Sequence, residues 1–171
     1  MSTALLQLCQ HSTWATLGLI RYCQGIAAED LDATIPGTYG TIRATLRHLV
    51  ESEECDLMEL TGERPEPLPD DPVALDALAT RIELLGPRWE RFAQDIELQE
   101  REIVTRDGRW RVPGAVPLAA MVQHANDHRT HVLSILGARG HMLSSSSSWP
   151  LSVWHHAIAT GAARRVAPAP D

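Results

Sequence analysis

The sequence has no long apolar run. None of its uninterrupted apolar stretches approaches the roughly 18 residues that a membrane-spanning helix needs. The first residues, MSTALLQLCQHSTWA, also lack the basic start and the continuous apolar core of a secretory signal peptide. These two absences argue against a membrane protein and against a secreted one. We therefore expect a cytoplasmic location.

Cysteine is scarce, with three residues at positions 9, 23 and 55. Cys9 and Cys23 fall on one predicted helix, where a rise of 1.5 Å per residue separates them by about 21 Å. The Cα atoms of a disulfide lie within about 7 Å of each other, so these two cannot pair. Cys55 is left without a partner. This count excludes a disulfide-stabilised scaffold and predicts small buried side chains instead.

Basic charge is also in short supply. The chain has 15 basic and 22 acidic residues, for a formal net charge of -7. No basic patch interleaved with aromatic residues is present, and such patches are typical of nucleic-acid binding. A length of 171 residues with 44% hydrophobic content predicts a single soluble domain spanning residues 1–171.

Apolar residues recur at helical spacing in four long segments, at residues 4–26, 41–61, 73–96 and about 117–140. Gly62 is the expected end of the second helix, and Gly86-Pro87 predicts a kink in the third. Asp107-Gly108 separates two short β-prone runs, which predicts a hairpin. These signals indicate an all-α four-helix bundle with a small β-hairpin before the last core helix. A serine run at 144–148 predicts a flexible link to a short C-terminal helix.

Three histidines form a stripe on the fourth predicted helix, at positions 124, 128 and 131. On a helical wheel His128 falls inside the apolar face, His124 at its edge and His131 just beyond it. Histidines four residues apart can bind one metal ion through bonds of about 2.0–2.1 Å. The same spacing is compatible with partly buried histidines that are hydrogen-bonded to backbone or water. Both interpretations stay open on the pattern alone.

A third ligand has to come from another segment, and His48 lies inside the second predicted helix. Its side of that helix holds small polar residues rather than leucines: Thr41, Thr45, Ser52 and Cys55. Such residues suit a wet cavity between helices, and they equally suit a solvent-exposed surface. His48 is therefore either a ligand or a surface residue.

Four other polar residues are candidates for the same pocket. Glu51 and Glu54 are possible partners of a ligand or pocket bases, but the position we expect for each is a solvated surface. Arg129 either contacts an anionic substrate or forms a salt bridge to another helix. His11, on the first helix, is a further candidate. We assign none of them a catalytic role.

Several segments resemble the DinB/YfiT-like superfamily of metal-binding four-helix bundles, and the resemblance covers about residues 5–161. The segments are TIRATLRHLVESEECDLMELTG, DGRWRVPGAVPLAAMV, VQHANDHRTHVLSILGARG and LSVWHHAIATG. Carried over residue by residue, the resemblance implies a metal site of His48, His124 and His128. His131 stands where many relatives have glutamine and is left out. The resemblance also implies a homodimer.

The resemblance further implies a divalent transition metal, which we expect to be zinc, nickel, iron or manganese. Characterised relatives include S-transferases and isomerases that use low-molecular-weight thiols, and a hydrolase-like activity would use the same site. Three neutral imidazoles suit such an enzyme because they leave the charge of the metal uncompensated and coordination positions open. The alternative is a non-catalytic metal-binding or stress-response bundle.

Overall fold

The computed structural model describes residues 4–68, 75–105, 107–141 and 160. The predicted serine-rich link and the predicted C-terminal helix lie outside these residues. Over the described residues, the helices are α1 (Ala4–Cys23), α2 (Ala28–Leu31), α3 (Ile42–Thr61), α4 (Leu75–Gln94), α5 (Ile96–Glu100) and α6 (Ala115–Ala138), and the strands are β1 (Glu102–Val104) and β2 (Arg111–Pro113).

The four long helices are the four that the apolar periodicity predicts, with small differences at their ends. α1 ends at Cys23 rather than near residue 26, and the short helix α2 follows it. α3 ends at Gly62, whose backbone is left-handed with φ of 75°, as expected. α6 begins at Ala115, two residues earlier than predicted, because Pro117 is tolerated in a first turn whose backbone N–H groups have no helical acceptor.

The long helices pack as two pairs around one core. α1 makes its most extensive contacts with α4, and α3 with α6, while α3–α4 and α1–α6 contacts close the bundle. Full burial of a large apolar side chain contributes about 1.5–3 kcal/mol, so these interfaces hold the helices in place. The fully buried side chains include Leu19, Ile20, Leu46, Leu49, Ile82, Trp89, Leu118 and Ile135.

Gly86 and Pro87 lie inside α4, which runs unbroken from Leu75 to Gln94 through both of them. A Cβ atom at position 86 would lie 2.6 Å from Cγ2 of Thr13 on α1. That distance is far inside normal contact, so the glycine allows α1 and α4 to approach each other closely. The pair that predicts a kink also serves helix packing.

The predicted hairpin is confirmed. β1 and β2 are antiparallel, with Ile103 opposite Val112. Their turn is closed by Asp107, whose carboxylate accepts hydrogen bonds from the Thr105 hydroxyl at 2.6 Å and the Arg109 backbone N–H at 3.1 Å. The hairpin leads directly into α6, the helix that carries the histidine stripe.

All three cysteines are free, as predicted, and Cys9 and Cys23 are buried. Burial raises the pKa of each of these two thiols to about 12, so neither supplies a thiolate near neutral pH. No helix among the described residues combines the length and the apolar character needed to cross a membrane.

Candidate metal centre

Three histidines from two helices converge at one place. His48 comes from α3, and His124 and His128 come from successive turns of α6. One nitrogen from each ring can be chosen so that all three atoms lie within 4.8 Å of one another. The i, i+4 spacing brings the α6 pair together, and the packing of α3 against α6 brings His48 to them.

The distances fit the donor set of one metal ion. Nε2 of His124 and Nε2 of His128 are 2.9 Å apart. Two imidazole nitrogens bound to one tetrahedral ion at 2.0–2.1 Å would be about 3.3 Å apart, a difference of a few tenths of an ångström. The ring of His48 lies 4.7 Å from that of His128 and 5.2 Å from that of His124, measured between centroids. The cluster therefore needs little rearrangement to accept an ion.

The electrostatics of the cluster favour neutral rings. Burial, followed by the charges of His124, His48 and His131, lowers the pKa of His128 to about 4. Burial, followed by the charge of His48, also lowers the pKa of His124. A metal binds the unprotonated nitrogen, so histidines that resist protonation are ready to bind at neutral pH.

The burial of the α6 histidines agrees with the helical wheel for His128, the residue predicted to lie innermost. His128 is buried, whereas His124 and His131 are half-buried. The ring of His131 lies 5.5 Å from that of His128, yet His131 does not belong to the converging donor group. His48 is half-buried as well, which agrees with its position away from the leucines of α3.

Tyr39 is a site residue that the sequence analysis missed. It lies in the loop before α3, and its ring stacks on His48 with centroids 4.2 Å apart and planes inclined by 13°. The same ring meets His128 edge-on at 5.1 Å. The turn-forming segment IPGTYG was the only local signal, and it does not indicate where the tyrosine ring will lie.

The two candidate acids are engaged elsewhere. Glu51 accepts a hydrogen bond from Arg47 at 2.8 Å on the same helix. Glu54 is buried and forms an ion pair with Arg81 of α4 at 2.8 Å, so its expected surface position is wrong. Among the described residues, the converging donor group contains neither acid.

Arg129 lies next to His128 in sequence but faces the bundle interior. It is buried, and it donates hydrogen bonds to the hydroxyls of Ser12 at 3.1 Å and Thr16 at 2.9 Å on α1. These partners are hydroxyl groups on another helix, so they do not form the predicted salt bridge. His11, also buried in α1, has its ring 6.3 Å from that of Trp14 and lies outside the donor group.

The fold and the site together define a class of protein. It is a four-helix bundle in which three imidazoles from two packed helices converge. A sequence model of the DinB family matches residues 1–132, and the chain belongs to the DinB family. None of the curated proteins matches the sequence.

Among solved structures, the chain is similar to YfiT from Bacillus subtilis, a probable metal-dependent hydrolase with an unusual four-helix bundle topology. The two chains share 18% sequence identity and superpose with a TM-score of 0.63. The match covers 79% of this chain and 87% of YfiT. At this identity the likeness establishes the fold.

Proposed function

We propose that this chain is a metal-dependent enzyme in which His48, His124 and His128 hold one divalent transition metal. The observation that carries the proposal is the convergence of three nitrogen atoms from two helices within 4.8 Å. A structural role for the same histidines would require partners for their ring nitrogens. Among the described residues, however, Nδ1 of buried His128 has no hydrogen-bond partner, and the partner of its Nε2 is Nε2 of His124, at 2.9 Å.

In this proposal, the packing of the helices holds the three metal-binding rings in place. α6 holds two of the rings on adjacent turns, and the packing of α3 against α6 fixes the third. The lowered pKa values of His124 and His128 keep these rings unprotonated near pH 7. When bound, a metal held by neutral ligands acts as a Lewis acid and acidifies a water or a thiol.

The nucleophile would come from outside the chain. Cys9 and Cys23 are buried with raised pKa values, and Glu51 and Glu54 are paired with arginines. The half-buried thiol of Cys55 is not part of the converging donor group. A low-molecular-weight thiol or a water molecule is the remaining choice. The family resemblance favours thiol transfer or isomerisation, whereas the description of YfiT favours hydrolysis. We propose the thiol-dependent reaction first and hydrolysis as the second candidate.

The test begins with metal content. Elemental analysis of untagged protein should find about one equivalent in the wild type, and less in His48→Ala, His124→Ala and His128→Ala. Each variant is checked for folding by circular dichroism. His131→Gln is the matched control, because it changes a histidine on the same stripe that lies outside the donor group. Wild-type protein that binds no metal after reconstitution with zinc, nickel, iron or manganese would contradict the proposal.

Activity is measured next on the metal-loaded protein. One assay follows transfer of a small thiol to an electrophile, and a second follows hydrolysis of activated esters and amides. Turnover that disappears in His128→Ala and survives in His131→Gln would identify the reaction. Metal binding with no turnover across both screens would favour the non-catalytic metal-binding or stress-response bundle.

A homodimer is the other part of the proposal. Several apolar side chains in and beside the hairpin are exposed to solvent: Ile96, Val104, Trp110 and Val116. Exposed apolar groups of this kind support association with a second copy. Light scattering after size exclusion should give twice the monomer mass, and a monomer at all concentrations would contradict it.

A further inference from the structure

Tyr39 makes two ring contacts with the histidine cluster although more than half of its surface is exposed. Its ring lies nearly parallel to His48 and nearly perpendicular to His128. The tyrosine is 53% exposed, so it lies at the boundary between the histidine cluster and solvent. It therefore forms an outer wall of the site.

The loop holds this tyrosine from both sides. Thr38, immediately before it, donates two hydrogen bonds to the carbonyl of Ile35, from its backbone N–H at 3.3 Å and its hydroxyl at 2.8 Å. Gly37 provides the left-handed turn with φ of 88°, and Ile35 packs against the core. After the tyrosine, Thr41 caps α3 by accepting a hydrogen bond from the N–H of Ala44 at 3.1 Å.

We propose that Tyr39 is a positioning residue, which orients the ring of His48 toward the two histidines of α6 and covers one side of the metal site. The proposal rests on the proposed metal-binding function. An imidazole that gives its lone pair to a cation becomes electron-poor. The face of an aromatic ring attracts positive charge, so the Tyr39–His48 stack becomes more favourable when metal binds. The ring, and not the hydroxyl, carries the effect.

Zinc affinity tests the inference. Competition with a chromophoric chelator should give a zinc dissociation constant about 3- to 10-fold weaker in Tyr39→Leu than in wild type. Tyr39→Phe keeps the aromatic face and should bind like wild type. Leu84→Ala is the control, because Leu84 is another exposed apolar residue, on α4, and its loss should leave the affinity unchanged.

Two affinity results would overturn the inference. If Tyr39→Leu binds zinc as tightly as wild type, the stack does not position His48. If Tyr39→Phe is as weak as Tyr39→Leu, the hydroxyl acts instead of the ring.

A second measurement on metal-free protein separates this inference from the proposed function. The ring current of a stacked tyrosine moves the ring protons of His48 upfield in the proton NMR spectrum. We expect the upfield shift in wild type and Tyr39→Phe, and its loss in Tyr39→Leu. Unshifted His48 protons in the wild type would overturn the inference even if zinc binds. A shifted His48 in a protein that never binds metal would mean that the proposed function alone has failed.

Discussion

His128 and Arg129 are neighbours in sequence, yet they belong to two polar regions of opposite kinds. His128 faces a half-exposed cluster of imidazoles, and its Nδ1 has no hydrogen-bond partner in the part of the chain that the structure describes. Arg129 is buried in the interior, where the hydroxyls of Ser12 and Thr16 accept its hydrogen bonds. Glu53 of α3, also buried, acts on Arg129 through its charge. The first region is open to solvent, whereas the second is closed: Arg129 there has hydroxyl partners, and Oε1 of Glu53 has no hydrogen-bond partner among the described residues.

The two regions differ in whether their polar groups can bind a ligand or instead stabilise the fold. Polar groups that already have partners stabilise the fold and are unavailable to a ligand. The converging Nε2 atoms of His124 and His128 have each other as partners at 2.9 Å, and a cation that binds the cluster stabilises the folded protein. The histidine cluster should therefore respond to metal, whereas the cluster of Arg129, Glu53, Ser12 and Thr16 should respond to substitution and pH.

The largest effect is expected from Arg129→Ala. The change removes the donor from Ser12 and Thr16 and leaves a cavity in the interior, where Arg129 is 3% exposed. The free energy of unfolding, measured in urea at neutral pH, should fall by about 3–5 kcal/mol. Arg21→Ala, which breaks an exposed pair with Glu83, is the control and should cost less than about 1 kcal/mol. Equal losses of unfolding free energy in the two variants would show that the interior contacts of Arg129 stabilise the protein no more than the surface pair does.

Metal should raise stability through the histidines. Free zinc at 100 times its dissociation constant should increase the free energy of unfolding by about 2.7 kcal/mol, because the folded chain alone presents the assembled site. The increase should vanish in His128→Ala and persist in His131→Gln. Thermal or urea unfolding with and without zinc measures it. An equal increase in His128→Ala would place the ion elsewhere.

The interior region around Arg129 and Glu53 should make the free energy of unfolding depend on pH. Burial, followed by the charges of Asp56 and Glu54, raises the pKa of Glu53 to about 8, while the charge of Arg129 opposes the rise. The folded state thus binds this proton more tightly than the unfolded state. The carboxyl's contribution to stability is complete at pH values below its ordinary range, and it is lost as the pH rises toward about 8.

Glu53→Gln removes this titration. Relative to the variant, the wild type should lose about 2 kcal/mol of unfolding free energy between pH 6 and pH 8, since one proton corresponds to at most 1.36 kcal/mol per pH unit. Taking the difference between the two proteins cancels the titration of the histidines. Parallel pH profiles for the two proteins would show that Glu53 titrates normally.

The smallest effect is expected from Glu51→Gln. Glu51 forms a half-exposed pair with Arg47, one turn away on the same helix. The unfolding free energy should change by about 0.5 kcal/mol or less, and zinc affinity should stay the same. Chelator competition and urea unfolding test both statements. A clear loss of zinc affinity would make Glu51 a partner of the site, as the sequence allowed.

Local sequence signals were sufficient for the helices and the hairpin. Apolar periodicity marked all four long helices, Gly62 marked the end of α3, and Asp107-Gly108 marked the turn. The spacing of His124 and His128 also predicted that their rings would lie on one face of the helix, because residues four apart on a helix share a face. Each of these signals depends only on residues within about one turn of each other, so it does not require tertiary contacts.

The tertiary structure decided which groups meet across elements. It placed His48 beside the α6 pair, stacked Tyr39 on His48, and buried Glu54 against Arg81. It also turned Arg129 toward the hydroxyls of α1 instead of a substrate. No sequence period encodes these contacts, because they depend on how helices distant in sequence pack together. The sequence by itself determined the elements and the shared face of His124 and His128, whereas packing brought His48 to them and selected which charges are buried.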